Sequence, residues 1–362
     1  MQRFVILEDG AIFKGDSIGA PITTTGEVVV NRAMNGYQEI ITDPTYTGQI
    51  IVFTYPEIGN IGIQNSDYES LAPTCKGVII GDLTAVESLH PDKLDLNTYL
   101  KHQHIPGICN IDTRALAHHL VKSNHIMKAS IVDAADDHAF DQLKALVLPK
   151  NQVQQVATSR PYLNPGKRNH IVLIDLGLKN QLLRTLDELE FDITILPPTV
   201  TIDALNELSP DGILISNGPG NPHDLPNLIK LVQDLQSHYP FLGIGLGFEL
   251  FALANGIALE PWPATHHGIN YPVKDVAKTN KIEITTQNFC YRIKTETLNR
   301  HSEIRVAYVD SLDHTIVGLY HKYYPAFAVQ FDPEAGPGPQ DTRHIFSDFM
   351  SLINKYHKHQ EG

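Results

Sequence analysis

The stretch Gly243-Ile244-Gly245-Leu246-Gly247-Phe248-Glu249 invites a chemical reading first, because an apolar run enters a glycine-rich turn there. The chain leaves it with Leu246, Leu250, Leu253 and Ala254 at helical spacing. One use for such a turn is to cradle a dinucleotide pyrophosphate. The spacing is G-x-G-x-G rather than G-x-G-x-x-G, however, and the chain runs on into Pro261 and Pro263 rather than into a strand ending in an acid. A lone glycine-rich turn is weak evidence, and a tight strand-to-helix turn without a ligand is the simpler reading. The other use is a strained elbow that exposes a nucleophile beside backbone N–H groups forming an oxyanion hole. Here Gly245 occupies the tip, and glycine carries no nucleophile. Cys290 is a second candidate thiol, but it sits on no elbow and no histidine is aimed at it, so a small half-buried thiol at a loop position is expected. His266-His267 is an adjacent pair among 18 histidines and reads as structural. There is no HExxH, and His357–His359 falls in a polar tail, so no metal site is expected. Asp112-Thr113-Arg114 fits a helix cap with a surface ion pair.

The elements that must hold these residues change character along the chain. Phe4–Leu7, Val28–Val30 and Ile50–Thr54 are β-branched or aromatic runs, punctuated by Asp9-Gly10, Asn35-Gly36 and Asp43-Pro44. Asp112–Lys122 reads as a helix. The polar, proline-bearing stretch 151–169 is expected to be a domain linker. Beyond it, strands at Ile171–Ile174, Ile193–Leu196, Gly212–Ser216 and Phe241–Ile244 alternate with helical patterns at Asn180–Leu189, Ile202–Leu208 and Leu225–Ser237. That rhythm predicts an α/β fold with a mostly parallel sheet flanked by helices, following an N-terminal domain of mixed strands and helices. Ligands bind such sheets at the carboxyl ends of the strands. The loops Ser216–Pro222 and Gly243–Glu249 lie there.

Composition bounds the rest. With 362 residues, the length prior of about 150 residues per domain favours two domains, expected at 1–150 and 170–357. Hydrophobic residues at 42% and charged residues at 19% exclude a largely disordered chain. A formal charge of −13 argues against nucleic acid or an anionic membrane as the main partner. Cys75, Cys109 and Cys290 show no paired spacing, as expected of a reducing cytoplasm. No signal peptide or membrane-length apolar run is visible.

Longer stretches carry a resemblance. LEDGAIFKG, GEVVVNRAMNGYQEIITDPTYTGQI, TYPEIGNIG, NIDTRAL, ILISNGPGNP, THHGINYPVKD and AVQFDPEAGPGP together resemble the glutamine-hydrolysing small subunit of carbamoyl-phosphate synthetase. The second half resembles a class I glutamine amidotransferase domain. The resemblance implies a partner, the large synthetase subunit, which would hold the ATP, Mg2+ and bicarbonate chemistry. This chain itself is expected to carry no cofactor. In the family the small subunit releases ammonia through a tunnel, and carbamoyl phosphate feeds pyrimidine and arginine synthesis.

The departures from the family pattern bear on activity. Where the family elbow reads like G-I-C-L-G-H-Q, this chain has Gly245 for the nucleophilic cysteine, Phe248 for the histidine and Glu249 for the glutamine. Where the family reads like Q-G-H-P-E-A, Asp332 replaces the histidine base, while Glu334 remains. The resemblance assigns oxyanion stabilisation to backbone groups at Gly218 and Leu246. It assigns glutamine contacts to Thr45, Gly218, Gly220, Leu246, Glu249, Asn288, Cys290 and Tyr291. A thioester needs a thiolate, and an aspartate with a reference pKa of about 3.9 is poorly matched to base work near neutrality. Glutamine hydrolysis is therefore expected to be lost, and Glu249 weighs against glutamine as a ligand. Phe248 and Phe331 are expected to partly fill the vacated site. The alternatives are glutaminase chemistry retained through Cys290, and a pseudoenzyme that regulates or binds something else. A dinucleotide site comes last, since it explains one loop only.

Overall fold

A computed structural model describes residues 1–84, 94–123 and 125–360. Contacts divide the chain into two units, Met1–Pro149 with Pro261–Gly268, and Lys150–Glu260 with Ile269–Gly362.

The first unit closes its strands into a seven-stranded barrel. Around it run Gln2–Leu7, Ile12–Gly19, Pro106–Cys109, Gly77–Ile79, Gln49–Phe53, Thr24–Asn31 and Lys128–Val132, the last returning to the first. Alternating residues point inward, so Val5, Leu7, Val28, Val30, Ile50, Val52, Ile79, Ile108 and Ile131 share one core. The helix Thr113–Val121 covers that core with Leu116 and Leu120. Asp112 caps it, accepting a hydrogen bond from the Ala115 N–H at 2.8 Å, which is the role its type and place predict. His266 and His267 are buried in this unit; the His267 carbonyl accepts from the Arg32 N–H, and its ring lies against Tyr46. That is the packing role the sequence suggests for them.

The second unit is built on a ten-stranded sheet. Its central strands His170–Ile174, Gly212–Ile215, Phe241–Ile244 and Ala326–Val329 are parallel neighbours, with Asp192–Leu196 parallel on the other side of His170–Ile174. Ile316–His321, Ile304–Asp310 and Leu259–Asp275 continue the sheet antiparallel. Successive residues along each strand face opposite sides, and the two resulting cores separate cleanly. Val172, Ile174, Ile213 and Ile215 pack with the helices Pro226–Leu235 and Leu246–Ala254, while Ile171, Leu173 and Leu214 pack with Phe346 and Phe349 of the helix His344–Gln360.

The stretch 151–169 is not a free linker. Gln152–Val156 is helical with Val153 buried, and Tyr162–Asn164 pairs antiparallel with Asp192–Leu196, Tyr162 opposite Ile195. Its polar composition follows from its place, because an edge strand covered on one side only exposes Tyr162 and Leu163 and needs no apolar periodicity. The expected boundary at 170 misses this edge strand, and the helix His344–Gln360 runs past 357. No described helix is long and apolar enough to cross a membrane.

Candidate active site

Three parallel strands deliver their carboxyl ends to one place, as the α/β rhythm implies. Gly212–Ile215 leads to Ser216 and Asn217, Phe241–Ile244 leads to Gly245, and Ala326–Val329 leads to Gln330–Asp332. The elbow is present. Gly245 has φ +54°, in the left-handed region, and the nine-residue helix Leu246–Ala254 starts at the next residue. Gly247 is required by proximity instead: a Cβ there would lie 2.6 Å from the Ile215 carbonyl oxygen. Both glycines are thus explained by the turn and its packing, with no dinucleotide needed.

The space above Gly245 is occupied. A Cβ built on Gly245 would overlap the Asn217 carboxamide, whose carbon, oxygen and nitrogen are its three nearest neighbours. The Asn217 Oδ1 accepts from the Gly218 N–H at 2.8 Å and the Leu246 N–H at 3.0 Å. Its Nδ2 donates to Asp332 Oδ1 at 3.0 Å. The orientation of the amide is dictated by its neighbours, since two N–H donors face the oxygen and a carboxylate faces the nitrogen. Leu246 N–H is one of the orphan donors of a helix start, and Gly245 offers no side-chain cap, so Asn217 caps the helix from another strand. The two N–H groups that the resemblance assigns to the oxyanion therefore both point at a side chain of this protein.

Asp332 faces a cation as well. Its Oδ2 accepts from Lys179 Nζ at 2.8 Å; the same ammonium donates to the Ala335 carbonyl at 2.8 Å and lies 3.1 Å from Glu334 Oε1. All three side chains are about 1% exposed. Two carboxylates against one ammonium leave excess negative charge out of water, and burial pushes the Glu334 carboxyl up, with Lys179 opposing and Asp332 reinforcing the rise. Among the described residues Glu334 Oε2 has no hydrogen-bond partner, as a neutral carboxyl tolerates better than an ionised one. Lys179 holds Asp332 and Glu334 as a packed ionic cluster.

Glu249 lies one helical turn beyond Gly245 and is 4% exposed. Gln330 Nε2 donates to Glu249 Oε1 at 3.1 Å and to the Tyr291 carbonyl at 2.8 Å. Burial pushes the Glu249 carboxyl up to about 8, against the lowering effect of the Gln330 bond. The strand Ile282–Ile293 carries Asn288, Cys290 and Tyr291, and Thr286 on it bridges to Asp332. Asn288 is buried, whereas Cys290 is half-buried and unoxidised. Gly220 has φ +97° and lies against the Gln152 side chain. Thr45 belongs to the first unit, where its hydroxyl and N–H both donate to Asp43 Oδ1, at 2.6 and 2.8 Å.

One expectation is overturned. Phe248 and Phe331 do not come together over Gly245. Phe248 is buried in the core on one face of the sheet, among the cluster containing Phe241 and Phe251. Phe331 is buried on the other face, edge-on to Tyr308 with centroids 5.3 Å apart. A helix residue and a strand-end residue with opposite facing enter different cores, and the space over Gly245 is taken by Asn217. Neither Asn217 nor Lys179 stands out in the sequence. For Asn217 the one available signal is its place inside an Asn-Gly-Pro-Gly loop at a strand end; Lys179 has none. His359 lies outside the described side chains, and His357 approaches Asp211 at 3.1 Å.

Comparison with known proteins assigns both halves. Residues 5–131 match the family model for the carbamoyl-phosphate synthase small chain, CPSase domain, and residues 172–352 match that for class-I glutamine amidotransferases. The chain is 42% identical over 359 residues to the carbamoyl phosphate synthase small chain of Lactococcus lactis subsp. cremoris, covering 99% of both. It is 43% identical over 357 residues to that of Streptococcus pyogenes and 42% identical over 357 residues to that of Streptococcus mutans, covering 98% of both chains in each case.

Proposed function

The chain belongs to the carbamoyl phosphate synthase small-chain family, with a class-I glutamine amidotransferase domain in its C-terminal half, and from that premise we propose that it serves as a docking subunit that no longer hydrolyses glutamine. The assembled enzyme then draws on free ammonia, while the large subunit performs the ATP- and Mg2+-dependent steps on bicarbonate. The observation that carries this reading is Gly245 at the tip of the elbow, with the Asn217 carboxamide where the Cβ of any side chain would stand. Amide hydrolysis by this route forms a bond between a thiolate sulfur and the carboxamide carbon, and the chain offers no sulfur at that position. Asp332, the second departure, is tied to Lys179 Nζ and Asn217 Nδ2 and so is already engaged as an acceptor. Loss of the nucleophile alone costs on the order of a millionfold in turnover in a comparable hydrolase.

The experiment is carbamoyl phosphate formation by this chain reconstituted with its large subunit, with glutamine or ammonium chloride as nitrogen source. Synthesis with ammonium alone supports the proposal. Comparable synthesis with glutamine refutes it. Inactivity with both, given a large subunit active by itself, favours the regulatory or binding role over the synthetase subunit.

A further inference from the structure

We propose that the Asn217 carboxamide is a built-in surrogate for the substrate carboxamide, closing the hydrolytic site from within. The inference rests on the reading that the elbow descends from a glutamine-hydrolysing site, and it adds a residue to which that reading gives no role. A glutamine side chain bound for hydrolysis would present an amide carbon to the nucleophile and its oxygen to the oxyanion N–H groups, with its nitrogen left facing the base. Asn217 reproduces the oxygen and nitrogen contacts of that arrangement with its own amide, while its carbon stands where the nucleophile's side chain would begin rather than beyond its sulfur. Its carbon overlaps the place of a nucleophile's Cβ, its oxygen accepts from Gly218 and Leu246 N–H at 2.8 and 3.0 Å, and its nitrogen donates to Asp332, the residue in the base position, at 3.0 Å. The surroundings hold it there. Asn217 is 4% exposed, and the Ser216 hydroxyl donates to its backbone carbonyl at 2.8 Å.

The closed state has a consequence for any attempt to rebuild the thiol. Gly245 and Asn217 exclude one another: with the carboxamide in place, no side chain fits at the elbow, and a side chain at the elbow must expel the carboxamide and break its three hydrogen bonds. The two positions are therefore energetically coupled although they belong to different strand ends. Asn217 also keeps the N–H donors of the elbow satisfied without a ligand, which a bare elbow would leave to water.

The test is a thermal-melt cycle on the full-length chain and on its Asn217→Ala, Gly245→Cys and Asn217→Ala/Gly245→Cys variants. The left-handed φ at Gly245 strains any cysteine there, but that cost is the same in both backgrounds and cancels in the cycle. Gly245→Cys is expected to lower the melting temperature by about 6–12 °C when Asn217 is present, from the loss of three hydrogen bonds in a domain of this size. In the Asn217→Ala background the further drop is expected to be less than about half of that. Equal drops in both backgrounds overturn the proposal. If Gly245→Cys alone does not accumulate as folded protein, recovery of folding in the double variant supports the proposal, and failure of the double variant while Asn217→Ala folds overturns it. Glutamine hydrolysis by the unaltered chain is measured in parallel. Such activity would defeat the reading of a lost glutaminase, while the melting cycle tests Asn217 separately.

Discussion

Replacing Glu249 by glutamine removes one buried titration while changing the side chain by a single heavy atom. In the folded chain this carboxyl is 4% exposed, has the Gln330 amide as its partner at 3.1 Å, and is pushed by burial from 4.5 up to about 8. In the unfolded chain it returns to the ordinary range. Between those two values the folded state keeps a proton that the unfolded state has released. The unfolded state then binds fewer protons, so stability falls as pH rises, by about 1.4 kcal/mol per unit. The stability linked to this group is fully present below pH 4.5 and is lost as pH climbs through about 8. Relative to Glu249→Gln, the unaltered chain should give up about 3 kcal/mol at pH 7 and about 5 kcal/mol once the folded carboxyl ionises. The amide adds a second advantage, because Gln330 Oε1 is buried without a partner among the described residues and a glutamine Nε2 could donate to it. Glu334 is raised by the same cause but is present in both proteins, so it drops out of the difference. Urea unfolding of both proteins between about pH 5 and pH 8.5 reads the effect directly. The gap should be small at the acid end and widen with pH. Two parallel curves would show that Glu249 is not a neutral buried acid, and the electrostatic account of this site would fall with it.

The ionic cluster and the remaining thiol each give a further expectation. Lys179→Met leaves Asp332 and Glu334 facing one another without the ammonium that now contacts both, and should destabilise the chain by about 3–5 kcal/mol in chemical denaturation; an unchanged midpoint would mean that the ammonium contributes nothing to holding the two side chains. Cys290→Ala should leave glutamine-dependent carbamoyl phosphate formation in the reconstituted enzyme at the level of the unaltered chain, whereas a measurable glutamine activity that vanishes on this substitution would make Cys290 the nucleophile.

Much of this protein is determined locally and can be read residue by residue. The strands and helices of the second unit follow from apolar runs alternating with helical spacing, and Phe241–Ile244 and Ile202–Leu208 fall where that pattern puts them. The Asp112 cap is a short-range device, complete within four residues, and so is legible from type and spacing. That position 245 is a glycine and position 332 an aspartate is also a matter of residue identity alone. Distance in sequence marks where this ceases. Tyr162–Asn164 has the composition of a linker because an edge strand needs only one neighbour, and that neighbour, Asp192–Leu196, lies about thirty residues on by the register of Tyr162 with Ile195. The seven strands of the first unit are visible in part, but their closure depends on pairings such as Phe4 with Val132 that no local pattern encodes. What occupies the space over Gly245 is least visible of all. Asn217, Gly245 and Asp332 come from three strand ends and Lys179 from a helix start, and only their convergence makes a loop asparagine the acceptor of the Gly218 and Leu246 N–H groups. The residue types decided which groups are available at each strand end; the packing of the parallel strands decided how they pair, because buried N–H donors are satisfied by whichever polar group the fold brings within reach.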